Sequence, residues 1–146
     1  MVAAQGVFAT NRLMDQQKFE EADRLNAHLL EIDSGIIGLH RSLIICDRVY
    51  CELIRDNRKE VLDSMLTKEQ QKFMKAMKKF PSVIRTEYAY ALLGLKDKAK
   101  ADAVRALFEK VAKTYPYPSD VQSERELMDI ADRLAKQHGI LQGESL

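Results

Sequence analysis

The stretch FATNRLMDQQKFEEADRLNAHLLEID, residues 8–33, decides how the rest of the chain is read. From Phe19 onward, Ala22, Leu25, Leu29, Leu30 and Ile32 follow the i, i+3, i+4, i+7 spacing of one apolar stripe on a helix. The segment before it, about residues 2–15, sets Val7, Ala9, Leu13 and Met14 near the same period. Two helices with so short a connection fold back on each other as an antiparallel hairpin. Small Ala22 is where they approach closest, with Phe19 and Leu25 filling the space beside it.

The same period continues to the end of the chain. Asp33-Ser34-Gly35 is a turn. The segment over residues 36–56 is long and mostly apolar, with Leu39, Leu43, Cys46, Tyr50, Leu53 and Ile54 on one broad face. Asn57 stops it and a short helix follows over 58–66. Thr67-Lys68-Glu69-Gln70 has the form of a capping box, so a new helix is expected over 68–79 with Phe73, Ala76, Met77 and Phe80 inward. Pro81 suits a first helical turn and opens a segment to about residue 95. Residues 98–115 form an amphipathic helix through Ala101, Val104, Leu107, Phe108, Val111 and Ala112, ended by Pro116-Tyr117-Pro118. Ser119-Asp120-Val121-Gln122 reads as a second capping box for a last helix to about 137, with Gly139 at its C-terminus. No segment alternates as a strand does. The expectation is an all-α fold of about seven helices in antiparallel hairpins, one domain over residues 1–139 with a frayed tail at 140–146.

Composition agrees with that class. The 146 residues carry 46% hydrophobic and 31% charged residues, enough for a core and a water-facing surface. Only six Gly and three Pro are present, few for an all-β chain with many turns. No stretch approaches the roughly 18 apolar residues of a membrane span. The first residues lack the basic start and apolar run of a signal peptide, so a cytoplasmic setting is expected. Cys46 and Cys51 sit in a helical segment where their side chains do not converge on a disulfide, and they read as core filler. Net charge is +1, which gives no global drive toward nucleic acid or acidic membranes. The charge is uneven, however: residues 67–118 carry twelve basic and five acidic side chains, between acidic ends.

Residues 8–22 resemble the helix–turn–helix core of a tetratricopeptide repeat without a gap. Phe19-Glu20-Glu21-Ala22 is similar to the aromatic-Glu-Glu-Ala start of that family's second helix, and Leu25, Leu29, Leu30, Ile32 and Asp33 fall at matching places. Ser34 stands where the family usually has proline, and Thr10 and Gln17 replace glycines. A second match covers residues 87–116, through Leu93-Gly94, Val104, Phe108, Val111 and Pro116, with a turn about two residues short. The middle, about residues 34–80, departs from the period. The resemblance implies hairpins stacked as a right-handed superhelix that binds a protein or peptide in a concave groove. A fainter likeness, through Asp33-Ser34-Gly35-Ile36, Asn57-Arg58-Lys59-Glu60 and Ala112–Tyr117, is to the soluble C-terminal repeat region of bacterial site-2-protease-like membrane metallopeptidases. The zinc motif of those enzymes, His-Glu-x-x-His, is absent.

Nothing in the sequence forms a catalytic or metal-binding set. His28, His40 and His138 lie on three segments without ligand spacing. His40 and Cys51 share a helix face with Asp47, but stand about 16 Å apart along it, too far for a nucleophilic dyad. No cofactor, metal or catalysis is therefore expected. Two basic features remain. Lys68, Lys72, Lys75 and Lys79 share one helix face, with Lys96, Lys98, Lys100, Lys110 and Lys113 following, and these read as a solvated face or as a contact for RNA or an acidic partner. Phe73 and Phe80 are needed inside, which leaves few aromatics to stack on bases, so nucleic acid is not the expected partner. Arg41, Arg48 and Arg55 recur every seven residues as one edge stripe of the long helix. In the groove that the resemblance implies, this helix lines the wall and Asn11 takes the place of a peptide-binding asparagine. The expected site is thus Asn11, Arg41, Arg48 and Arg55 against a protein or peptide, with internal pairing of the arginines as the alternative. Oligomeric state is left open.

Overall fold

A computed structural model describes residues 10–32, 38–55 and 59–139 of the chain. The turn expected at 33–35, the stop at Asn57, the start of the first helical segment and the tail at 140–146 lie outside them. The described residues are helical and contain no strand. Residues 10–15 form α1; α2 is Phe19–Ile32, α3 Gly38–Arg55, α4 Lys59–Met65, α5 Lys68–Ala76 and α6 Pro81–Ala89. A π-helical turn, Tyr90–Gly94, continues α6, and α7 (Lys98–Ala112) and α8 (Pro118–Gln137) complete the chain. The fold is all-α, as the periodicity implies. The chain divides into two compact units, Met1–Phe73 and Met74–Leu146.

In the first unit the connection between α1 and α2 takes three residues. The Lys18 N–H donates to the Leu13 carbonyl at 2.8 Å and the Gln17 N–H to that of Met14 at 2.9 Å. This is the paired bonding that satisfies the last carbonyls of a helix and requires a left-handed residue after it. That residue is Gln17, with φ 60°. Thr10 is fully buried, and its hydroxyl donates to Asn26 Oδ1 across the hairpin. Ala22 is fully buried, as its small size suggests.

α3 runs antiparallel to α2. Phe19 meets Tyr50 edge to face at 5.7 Å between ring centroids, and Leu29 packs with Ile44 at the other end. α3 is buried over a wider arc than its apolar stripe. Ile44, Cys46, Val49, Tyr50, Cys51 and Leu53 are all inside, and so are the acids Asp47 and Glu52. The two cysteines are free thiols in the core. Thr67 caps α5, its hydroxyl accepting from the Gln70 N–H at 3.1 Å. The Gln70 side chain does not return to the cap. It donates to the Ser42 carbonyl at 3.0 Å and reaches Cys46 Sγ at 3.4 Å, tying α5 to α3. Gln70 and Met74 are therefore the buried positions of α5, and Phe73 is only half-buried.

The second unit is built on α6, α7 and α8. Pro81 starts α6, whose Val83, Ile84, Tyr88 and Ala89 are buried together with Ala91, Leu92 and Leu93 of the π-helical turn. Asp97 caps α7, accepting from the Lys100 N–H at 3.0 Å. The second expected capping box does not form. Pro118 occupies the first turn of α8 with Tyr117 before it, so Ser119 already lies inside the helix and cannot cap it. Gly139 ends α8 with φ 77°, the left-handed conformation that only glycine adopts without cost. α8 pairs in parallel with α6 (Arg85 with Glu124, Tyr88 with Asp132) and antiparallel with α7 (Arg105 with Asp132, Glu109 with Arg125).

Candidate functional site

The four residues singled out by the sequence lie on α1 and α3, the two helices that flank α2. Asn11 is exposed, one residue after buried Thr10. Arg41 is exposed near the start of α3 and makes no ion pair among the described residues. Arg48 and Arg55 differ from it. Arg48 Nε donates to Asp23 Oδ1 at 3.0 Å, and Arg55 Nη1 donates to Asp23 Oδ2 at 2.9 Å and lies 3.4 Å from Glu52 Oε2. The Asp23 and Glu52 carboxylates are 5% and 1% exposed, whereas the two arginine side chains keep 23% and 24%. The stripe therefore has two functions within the fold. Its lower two members neutralise a carboxylate that α2 drives into the α2–α3 seam, and its upper member faces water.

Asp23 is the group that sequence reasoning missed. It follows Ala22 on the inner side of α2, and its position next to the tightest point of the hairpin was the available signal. A buried, ionised carboxylate is tolerated only when charged donors saturate it, and each oxygen here takes one guanidinium. Arg48 meets this carboxylate through Nε at 3.0 Å, and its side chain stays partly exposed. A guanidinium held this way has lost its rotamer freedom in advance of any ligand.

The second unit holds polar clusters that the sequence did not reveal. Arg85 is 1% exposed; its Nε donates to Glu124 at 3.0 Å and Nη1 to the Thr86 hydroxyl at 2.7 Å. One turn on, the Tyr88 hydroxyl donates to Asp132, Arg105 donates to the same carboxylate at 2.7 Å, and the guanidinium lies 4.7 Å from the Tyr88 ring centroid. Burial, then the bond to Asp132, pushes the Tyr88 phenol up to about 12. Burial pulls the Arg105 guanidinium down, but the Tyr88 hydroxyl and the carboxylates of Asp132 and Asp129 outweigh it and hold it above its ordinary value. The bidentate Arg125–Glu109 pair holds the Glu109 carboxyl below the usual range. These groups link three helices. None of them pairs a base with a nucleophile.

The histidines do not converge on a site either. His28, His40 and His138 are all exposed, whereas Asp47 and Cys51 are buried, so the trio on α3 is split between surface and core. No group of three His, Cys, Asp or Glu that could hold a metal ion occurs among the described residues. None of the described helices is long and apolar enough to cross a membrane. Comparison with protein-family models, with curated proteins and with solved structures finds no match to this chain.

Proposed function

We propose that this chain is a non-catalytic helical-repeat module that binds an acidic protein or peptide segment along α1 and α3, with Asn11, Arg41 and Arg48 as its outward polar contacts and Arg55 as their anchor to the fold. The observation that carries this reading is the division of labour on α3. Arg41 is exposed, and Arg48 is fixed by Asp23 through Nε while its side chain stays 23% exposed. Seven-residue spacing rotates one arginine from the next by only about 20°, so the two guanidiniums stand in line about 10.5 Å apart. Planar forks at that separation suit carboxylates of one extended or helical segment. Support for a repeat-like frame comes from the antiparallel α1–α2 and α2–α3 pairs, from the left-handed Gln17 at a family glycine position, and from the α6–α8 arrangement of the second unit.

Arg41 is the residue to test, because Arg48 also holds a buried charge and its loss would weaken the fold. Arg41→Glu should leave the melting temperature nearly unchanged, since an exposed charge contributes little to stability. The same variant should bind a fluorescently labelled peptide rich in Asp and Glu about tenfold or more weakly, and binding by the unaltered chain should fall with added salt. Equal binding by both proteins would refute the reading. So would tighter capture of single-stranded RNA than of the peptide.

A further inference from the structure

The outer face of α7 is basic, and at its N-terminal end that charge stands where the helix does not favour it. Winding α7 at 100° per residue places Lys113, Ala106, Ala99, Lys110, Ala103 and Lys100 within an arc of about 140°. All six are exposed, and no acidic residue shares the arc. Asp102, at its edge, is turned to Lys98 at 2.6 Å and is already neutralised. Lys100, Lys110 and Lys113 make no ion pair among the described residues.

Two of the cations stand where local physics disfavours them. Lys100 is in the first turn of α7, which carries no acidic residue, although the positive end of the helix dipole repels a cation there. Lys96, exposed just ahead of the Asp97 cap, has φ 54°, the left-handed conformation in which glycine is the default. Local rules are broken where something other than stability selects the residue. Positive charge at this end of α7 is what both departures have in common.

We infer that the Ala99–Ala103–Ala106 face of α7, with Lys96, Lys100, Lys110 and Lys113 around it, docks an acidic α-helix of a partner protein. This surface belongs to the second unit, and the arginine face of α3 belongs to the first. Charge complementarity fixes the sign of the partner, and the alanine floor fixes its shape. Side chains ending at Cβ let a second helix come close, with lysines reaching round to its carboxylates. The one large apolar residue within the arc, Leu107, is half-buried, and no aromatic residue shares the arc to stack on bases, so a helix suits it better than a membrane or a nucleic acid.

The test uses the full chain and, as probe, a labelled helical peptide with Glu along one face and Ala between. Anisotropy titrations made in the Arg41→Glu background, where the arginine face of α3 does not contribute, should show salt-dependent binding that adding Lys100→Glu with Lys110→Glu weakens at least tenfold. Lys96→Gly should weaken binding by a few fold while raising the melting temperature, and Lys100→Glu should likewise not lower it. A merely structural role for these lysines would move stability and binding together. Undetectable binding in the Arg41→Glu background, unchanged binding on adding the two lysine substitutions, or tighter binding to duplex RNA or to phosphatidylserine vesicles than to the peptide would each overturn the proposal.

Discussion

Tyr88 shows how much of this protein's stability is tied to single protonation states. Its phenol is buried against Asp132 and Arg105, and its pKa is pushed up to about 12, against about 10 for a free tyrosine. A raised value means that the folded state favours the neutral phenol. The stabilisation is therefore complete below about pH 10 and is lost as pH climbs toward about 12. Ultraviolet titration of the folded protein should show a late ionisation that Tyr88→Phe removes. A late phase of unchanged amplitude in Tyr88→Phe would contradict the cluster. None of this was legible in the sequence. Tyr88 reads correctly as a core position from its period, but its partner Asp132 is forty-four residues away and nothing in the spacing connects them. The same holds for Asp23, which meets Arg48 and Arg55 across separations of twenty-five and thirty-two residues.

At the scale of elements, the helix starts divide into those set by local chemistry and those set by competition. Asp97 and Thr67 cap their helices through side-chain oxygens, while Phe80 and Tyr117 precede helices opened by proline and give no side-chain cap. Asp97→Ala should therefore cost about 1 kcal/mol in chemical denaturation, and Ser119→Ala should stay within about 0.5 kcal/mol of the unaltered chain. Equal losses at the two positions would mean that α8 begins at Ser119 after all. The periods of α2 and α7 were legible because each helix buries one side, whereas α3 and α6 are buried over wider arcs that take in charged residues. The Ser119 box was misread because the rule for serine caps and the rule for proline at the first turn compete, and proline wins by one residue. Gln70 was half legible: its backbone obeys the capping box, but its side chain finds acceptors on α3, twenty-eight and twenty-four residues back, that no local pattern announces.

At the scale of the molecule, two polar faces are candidates for contact with other proteins, and they rest on different physics. On α3 the arginine stripe is partly consumed by the fold, and its outward share is Arg41 with the exposed part of Arg48. On α7, Lys100, Lys110 and Lys113 are unconsumed by any described ion pair, and Lys100 stands in the first turn, where the helix dipole disfavours it. The linear order of the arginines was legible from seven-residue spacing. Their division between core and solvent was not, since it depends on the carboxylate that α2 places opposite them. The central claim is that α1 and α3 form the recognition face. Backbone amide shift mapping by NMR, with an unlabelled peptide rich in Asp and Glu titrated into the isotope-labelled chain, tests it most directly. The account predicts shifts around Asn11, Arg41 and Arg48, whether or not the α7 lysines shift as well. Shifts confined to other helices, or none at saturating peptide, would contradict it.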